Sequence, residues 1–292
     1  MAKARAFDRR RKTVGNIKKI THTMQLIATA RFQRSLSRTM GTKPYTEKIT
    51  QLVQQVSAAG AAAEHPLVSV QNDAERHALL LITSNRGLCG GFNASLLRTA
   101  MSLVKKNDEA GVATDLYVVG KKGVNYFKFL GRELVCTYPD MPDAPDYARI
   151  EPIANSFMQS YEAKRYDKIQ VIFMRFITAS RQRTETIQLL PIQPEGTEQE
   201  ATGATAEVQY DFTPEPAELL NELLPVTVRI RMFQCFNESV VSENVSRMVA
   251  MKSATDAAVE MIRYLSQQYN RARQAQITME LLDIMGGVEA LK

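Results

Sequence analysis

The residues with the most chemical promise lie at 84–93, SNRGLCGGFN, where three glycines, a thiol and an arginine fall between an apolar run of strand length and a helical stretch. Loops so placed bind phosphate in α/β proteins, because backbone N–H groups and a helix N-terminus face the ligand. The spacing here does not fit one. Gly87, Gly90 and Gly91 make no GxGxxG, no GxxxxGK[ST] occurs, and Asp115 precedes the second strand instead of ending it. The stretch reads instead as a tight turn made for a partner surface. Cys89 beside Gly90 could be reactive, but such a cysteine is more often simply a small residue. Catalytic sets are lacking elsewhere: there is no HExxH and no GxSxG, and His22, His65 and His77 are too scattered to assemble a Ser/His/Asp triad. Glu280 and Asp283 share a helical face, an arrangement usually solvated. Cys89, Cys136 and Cys235 form no CxxC pair and are odd in number, which argues against a metal site and a disulfide framework. No catalytic, cofactor or metal residue is therefore nominated.

Charge is the second signal. The chain of 292 residues carries a net +6, yet residues 1–38 hold eleven Lys or Arg against Asp8 alone, so that segment is +10 and the remainder −4. Such an end expects an anionic partner: nucleic acid, membrane headgroups or an acidic protein surface. Its only aromatics are Phe7 and Phe32 and it has no recognition motif, which disfavours nucleic acid. Hydrophobic content of 45% excludes wholesale disorder. No apolar run approaches 18 residues, and the Arg-rich start is followed by no signal core, so a cytosolic chain with no spanning helix is expected.

The elements that position these residues fall into three parts. Residues 242–285 contain no Pro or Gly and are rich in strong helix formers. They predict one helix of roughly 65 Å, too long to lie flat on one core, stopped by Gly286-Gly287. Along it Val241, Val245, Met248, Lys252, Thr255, Val259, Ile262, Ser266, Tyr269, Arg273 and Gln276 step by four and three, the spacing of a coiled-coil seam, apolar first and polar later. Residues 4–39 predict a second long helix, with Val14, Ile17, Thr21, Met24 and Ala28 on one stripe widened by Ile20 and Ile27. A kink or short break is expected at Gly41 and Pro44, before helix resumes over 45–63. Between these arms, strands at 77–83, 116–119, 133–138 and 168–178 alternate with helices at 93–105, 121–130 and 150–164, the order of an open, largely parallel α/β sheet. Residues 184–190 add an edge strand antiparallel to its neighbour. Residues 194–206 read as an exposed, mobile loop, Pro214 and Pro216 introduce the last helical region, Pro225 marks a kink, and the β-branched and aromatic residues of 227–236 weaken the helical signal there.

The expected fold is thus α/β: a long antiparallel two-helix coiled coil from the N-terminal (1–63) and C-terminal (214–292) segments, with a central open, Rossmann-like α/β domain at 77–212. Antiparallel pairing satisfies two seams that neither arm buries alone. The C-terminal arm overhangs its partner by roughly ten residues, about 15 Å.

At this point the residues resemble a family. RRKTVGNIKKITHTMQLIATARF (10–32), ITSNRGLCGGFNASL (82–96) and SRMVAMKSATDAAVEMIRYLSQQYNRARQAQITMELLDIMGG (246–287) look like the gamma subunit of F-type ATP synthases. The resemblance implies a non-catalytic rotor shaft, the central stalk, without cofactor, which couples transmembrane proton flow to ATP synthesis or hydrolysis on the beta subunits. It implies a coiled coil inside a ring of alpha and beta subunits, and an α/β domain that meets the epsilon subunit and the c-subunit ring. By resemblance Met24, Arg86, Gly87, Cys89, Arg247, Gln274, Thr278 and Glu280 face the catalytic ring, and Tyr210 belongs to the foot against epsilon and the c ring. Localisation follows: peripheral, at the cytoplasmic face of the bacterial inner membrane. A basic nucleic-acid binder and a nucleotide-binding α/β enzyme are the alternatives from other classes.

Overall fold

Alternating burial dictates the centre of the molecule. The computed structural model describes residues 2–56, 65–71, 75–192 and 216–290. The element order is α1 (Ala2–Val56), β1 (Arg76–Ile82), α2 (Phe92–Glu109), β2 (Ala113–Val119), α3 (Lys121–Phe129), β3 (Cys136–Tyr138), α4 (Tyr147–Glu162), β4 (Lys168–Thr178), β5 (Arg181–Leu190) and α5 (Pro216–Ala290). The chain divides into two compact units, Arg31–Ser246 and a pairing of Met1–Ala30 with Arg247–Lys292.

In the larger unit the five strands run β3-β2-β1-β4-β5, parallel throughout except for the antiparallel edge strand β5. Because side chains alternate across a strand, Leu79, Leu81, Leu116, Val118 and Ile172 point to one face, where α2 and α3 cover them with Phe92, Leu96, Val104, Val124 and Phe127. Ala78, Leu80, Ile82, Tyr117, Val119, Ile169 and Val171 point to the other, under α4 and the first turns of α5, which supply Ile150, Phe157, Leu220, Leu224 and Phe236. Each such buried side chain contributes ~1.5–3 kcal/mol of transfer free energy, so both faces of the sheet are held. Ser239 and Ser242 of α5 add hydrogen bonds to the amide and carbonyl of Met174 on β4.

The smaller unit is two helical segments packed antiparallel. The hydroxyls of Thr21 and Thr255 meet at 2.9 Å, the Arg11 guanidinium lies 5.3 Å from the Tyr269 ring centroid, and Ala4 and Arg5 border the same groove as Gln276 and Ile277. As the α1 number falls the α5 number rises, the expected pairing. The inward column of α5 differs from the expected one. Thr255, Ile262, Tyr269 and Gln276 do face α1, but the flanking column is Met251, Ala258, Leu265 and Ala272, one residue before Lys252, Val259, Ser266 and Arg273. Lys252 and Arg273 are exposed, and Val259 is 45% exposed. An α-helix drifts against a strict 3.5-residue repeat, and the row slips by one after Met248, where small and apolar types replace Lys and Arg. On α1, Ala28 is buried and Val14, Thr21 and Met24 are half-buried, whereas Ile17, Ile20 and Ile27 are exposed and do not widen the seam.

The described helices run on through three places where a kink, a short break or a stop is expected. α1 is continuous through Gly41 and Pro44, α5 through Pro225, and α5 continues past Gly286-Gly287 to Ala290. An interior proline removes one donor, and each glycine costs about 1 kcal/mol against alanine, but neither forbids helix when the neighbouring turns are strong. α5 starts at Pro216 as expected, and residues 227–236 are helical. The expected loop at 194–206, the helix beyond Val56 and Tyr210 lie outside the described residues.

Candidate partner surfaces

Two surfaces emerge from the residues singled out by sequence. The first is the turn after β1, whose backbone is fixed from below. Thr83 Oγ1 donates to the Val119 carbonyl (2.6 Å) and accepts from the Gly123 amide (3.0 Å), which ties β1 to the start of α3. Gly120 has φ +90°, and a Cβ there would run into the Thr83 carbonyl oxygen, so only glycine fits between β2 and α3. Above this, Ser84 donates to the Arg86 carbonyl (2.6 Å), and Asn93 at the head of α2 receives the Ser84 amide (3.1 Å) and donates to Ser84 Oγ (2.8 Å) and to Cys89 Sγ (3.2 Å). Cys89 is therefore 2% exposed, an inward-facing support of the turn. Gly87 is half-buried with Lys122 passing 3.5 Å from where its Cβ would lie, and Arg86 is exposed.

Leu88, which sequence reasoning missed, heads this turn. It is 61% exposed and held at φ +62°, a conformation costing a non-glycine residue about 1 kcal/mol or more. The signal available was a large apolar residue inside a glycine-rich turn. Also missed was PDMPDAPD (139–146), a Pro-Asp pair repeated every three residues. Asn85 reaches it by donating to the Met141 carbonyl at 2.6 Å. Asp143 accepts from Arg31 at 2.8 Å and lies 3.6 Å from Arg86, while Asp146 accepts from Arg38 at 2.9 Å.

The second surface belongs to the paired helices. Arg5, Arg9, Lys12 and Arg273 border a groove with Tyr269 and Gln276. Asp8 is the acid in it, its carboxyl held below the usual range by hydrogen bonding and charge from Lys12 and by Arg11. Met24 is half-buried and Arg247 8% exposed. Gln274, Thr278 and Glu280 are exposed, with Gln276 donating to Glu280 at 2.7 Å and Thr278 to the Gln274 carbonyl at 3.0 Å. Turn and helix residues thus belong to separate units, and each set is placed within its own.

Past Gln276 the character of α5 changes. Every residue from 277 to 288 is exposed, and Ile277, Met279, Leu281, Leu282, Ile284, Met285 and Val288 are among them. The expected polar end is real over Ser266–Gln276, but the overhang beyond it is apolar. Its fourteen residues from Ile277 to Ala290 span about 20 Å.

Among the described residues no group of three or more His, Cys, Asp or Glu is arranged to hold a metal ion, and no helix is long and apolar enough to cross a membrane. A family model described as ATP synthase matches residues 3–291. The chain is similar to the ATP synthase gamma chain of Rhodopirellula baltica, 41% identical with the whole of each chain covered, and to that of Leptospira biflexa, 36% identical over the whole of each. Among solved structures it resembles a chain of the Euglena gracilis mitochondrial ATP synthase (OSCP/F1/c-ring), with TM-score 0.69 at 18% identity over 99% of this chain and 95% of that one. It also resembles a chain from the central stalk and c-ring of the Tetrahymena thermophila enzyme, with TM-score 0.59 at 20% identity over 80% and 99%.

Proposed function

We infer that this chain, which belongs to the ATP synthase gamma-chain family, is the central shaft of the rotor: a non-catalytic subunit that couples transmembrane proton flow to ATP synthesis and hydrolysis on the beta subunits. The end-to-end family match over residues 3–291 carries this reading. Two long helices paired antiparallel suit it, and the exposed Gln274, Thr278 and Glu280 offer a housing only weak polar contacts, as a shaft that turns must not be glued in place. Exposed ion pairs and hydrogen bonds, each worth well under about 1 kcal/mol, break and re-form at every step.

The partners are the alpha and beta subunits, the epsilon subunit and the c-subunit ring. The basic first helix and its groove meet acidic segments of the ring. Met24, Arg86, Gly87, Arg247, Gln274, Thr278 and Glu280 form the contacts to the head, with Cys89 shaping the turn that carries Arg86 and Gly87. Tyr210 belongs to the foot against epsilon and the c ring. The functional parts are the N-terminal segment 1–63, the central segment 77–212 and the C-terminal segment 214–292. The chain sits peripherally at the cytoplasmic face of the bacterial inner membrane, held there through the complex. Purifying the tagged chain from its host membranes and weighing the native complex tests this: one copy per six alpha and beta subunits is expected, and recovery of the chain alone or with nucleic acid refutes it.

A further inference from the structure

The Pro-Asp repeat at 139–146 joins elements that the sheet does not. Its first acid, Asp140, faces Lys121 of α3 at 3.5 Å, its second takes Arg31 of α1 with Arg86 of the turn, and its third takes Arg38 of α1. Arg38 also donates to the Pro145 carbonyl at 3.0 Å and lies 5.6 Å from the Phe233 ring centroid, and Phe233 stacks edge-on with Tyr147. Arg31 and Arg38 are seven residues apart, two helical turns on one face, or about 10.5 Å. Asp143 and Asp146 are three residues apart, a stretch of chain that reaches at most about 10–11 Å. The two spacings match, and proline before each aspartate limits the backbone's freedom to deviate.

Apolar packing is shallow along the 29–48 stretch of α1. Between Ala28 and Ile49, which joins the core under the sheet, the described side chains are at most half-buried, and Phe32 makes a tilted ring contact with Phe176 of β4 at 6.0 Å. The two pairs are partly exposed, Asp146 most of all, and each is weak alone, but set at two levels of one helix face they resist sliding and rotation together, which a smooth apolar contact does not.

We propose that the 139–146 repeat is an electrostatic clasp that passes torque between the α/β sheet and α1, with Asp143 and Asp146 as positioning residues for energy coupling. This rests on the reading of the chain as a rotor shaft. α1 is one helix from Ala2 to Val56, so a twist applied anywhere on it reaches the sheet through its anchored segment. Weakening the anchor adds torsional slack, which matters under load and is silent when the shaft turns freely.

The test uses the whole complex reconstituted in lipid vesicles. The Asp146→Asn variant, which leaves Asp143 and its contact to Arg86 in place, is expected to keep unloaded ATP hydrolysis within about twofold of wild type and to lose at least about fivefold in ATP synthesis at low proton-motive force. The exchange Arg38→Asp/Asp146→Arg is expected to recover more synthesis than Arg38→Asp alone, and it serves as the reporter if the amide variant fails to assemble. A merely structural role lowers hydrolysis and synthesis by the same factor. That result, or an unchanged ratio, or no recovery in the exchanged pair, overturns the clasp. Failure of the wild-type chain to restore synthesis to a complex lacking it would instead overturn the shaft reading.

Discussion

Replacing Leu265 by alanine, beside Val259 by alanine as its counterpart, separates the two seam columns that the sequence leaves open. Leu265 is 6% exposed against α1, and truncation removes three carbons at about 0.8 kcal/mol each, or ~2.4 kcal/mol before any cavity term. Val259 is nearly half exposed, so its two carbons cost ~0.9 kcal/mol, and the higher helix propensity of alanine returns about half of that. The expected difference is ~2 kcal/mol, roughly a thirtyfold change in an opening equilibrium. Hydrogen–deuterium exchange of the amides at 258–266 in the full chain reads it directly: Leu265→Ala speeds exchange by that order, and Val259→Ala leaves it close to wild type. Faster exchange in Val259→Ala than in Leu265→Ala would falsify the column of Met251, Ala258, Leu265 and Ala272.

Val245 is completely buried, so Val245→Asp places an unpaired carboxylate among apolar atoms and lowers stability by about 3 kcal/mol or more, while Gln276→Ala stays within about 0.5. Thermal unfolding should rank them in that order. Gly120→Ala combines a positive φ with a backbone collision and is expected to cost about 3 kcal/mol or more; Gly111→Ala, at φ +77° with open space around it, about 1. Equal urea midpoints for the two glycine variants would remove the close approach of β1 to α3. Burial, followed by the charge of Lys168, holds the His77 pKa below its usual 6.5, and its Nδ1 is buried without a hydrogen-bond partner. The unfolded chain therefore takes up that proton first, and stability present above pH 6.5 declines as the pH falls through the lower folded value, by up to ~1.4 kcal/mol per unit. His77→Gln should flatten the dependence of the urea midpoint between pH 7.5 and 5.5, with a residual slope of the same sign from His65, which burial also lowers. A variant as steep as wild type would exclude His77.

Much of the α/β unit was readable because its elements announce themselves by type and length. KIQVIFMRFIT has no alternative to a buried strand, and it is β4 over the expected 168–178. The antiparallel edge strand and the three helices fall within a few residues of expectation. What misled was punctuation in helices. Gly41, Pro44, Pro225 and Gly286-Gly287 are breakers by local propensity, yet 55- and 75-residue helices absorb them, because cooperative turns on both sides outweigh a single lost bond. The seam was half legible for a different reason: at a repeat of 3.5, two columns flank Thr255, Ile262 and Tyr269 equally well, and only the partner helix decides between them. The residues of the turn were found through their glycines, but the support beneath them was not. Thr83, Asn85 and Asp143 act through bonds to residues 36, 56 and 112 positions away, a distance over which no local pattern carries information.

The bare stretch beyond Gln276 has a consequence for how the cell must handle this chain. A helix end carrying Leu281, Leu282, Ile284 and Met285 in open water will seek any greasy crevice, including another copy of itself. Newly made chain is therefore safest when its receptacle is already waiting, so overproduction without the companion subunits should yield clumps, and shortening the chain at Gln276 should yield clear solution.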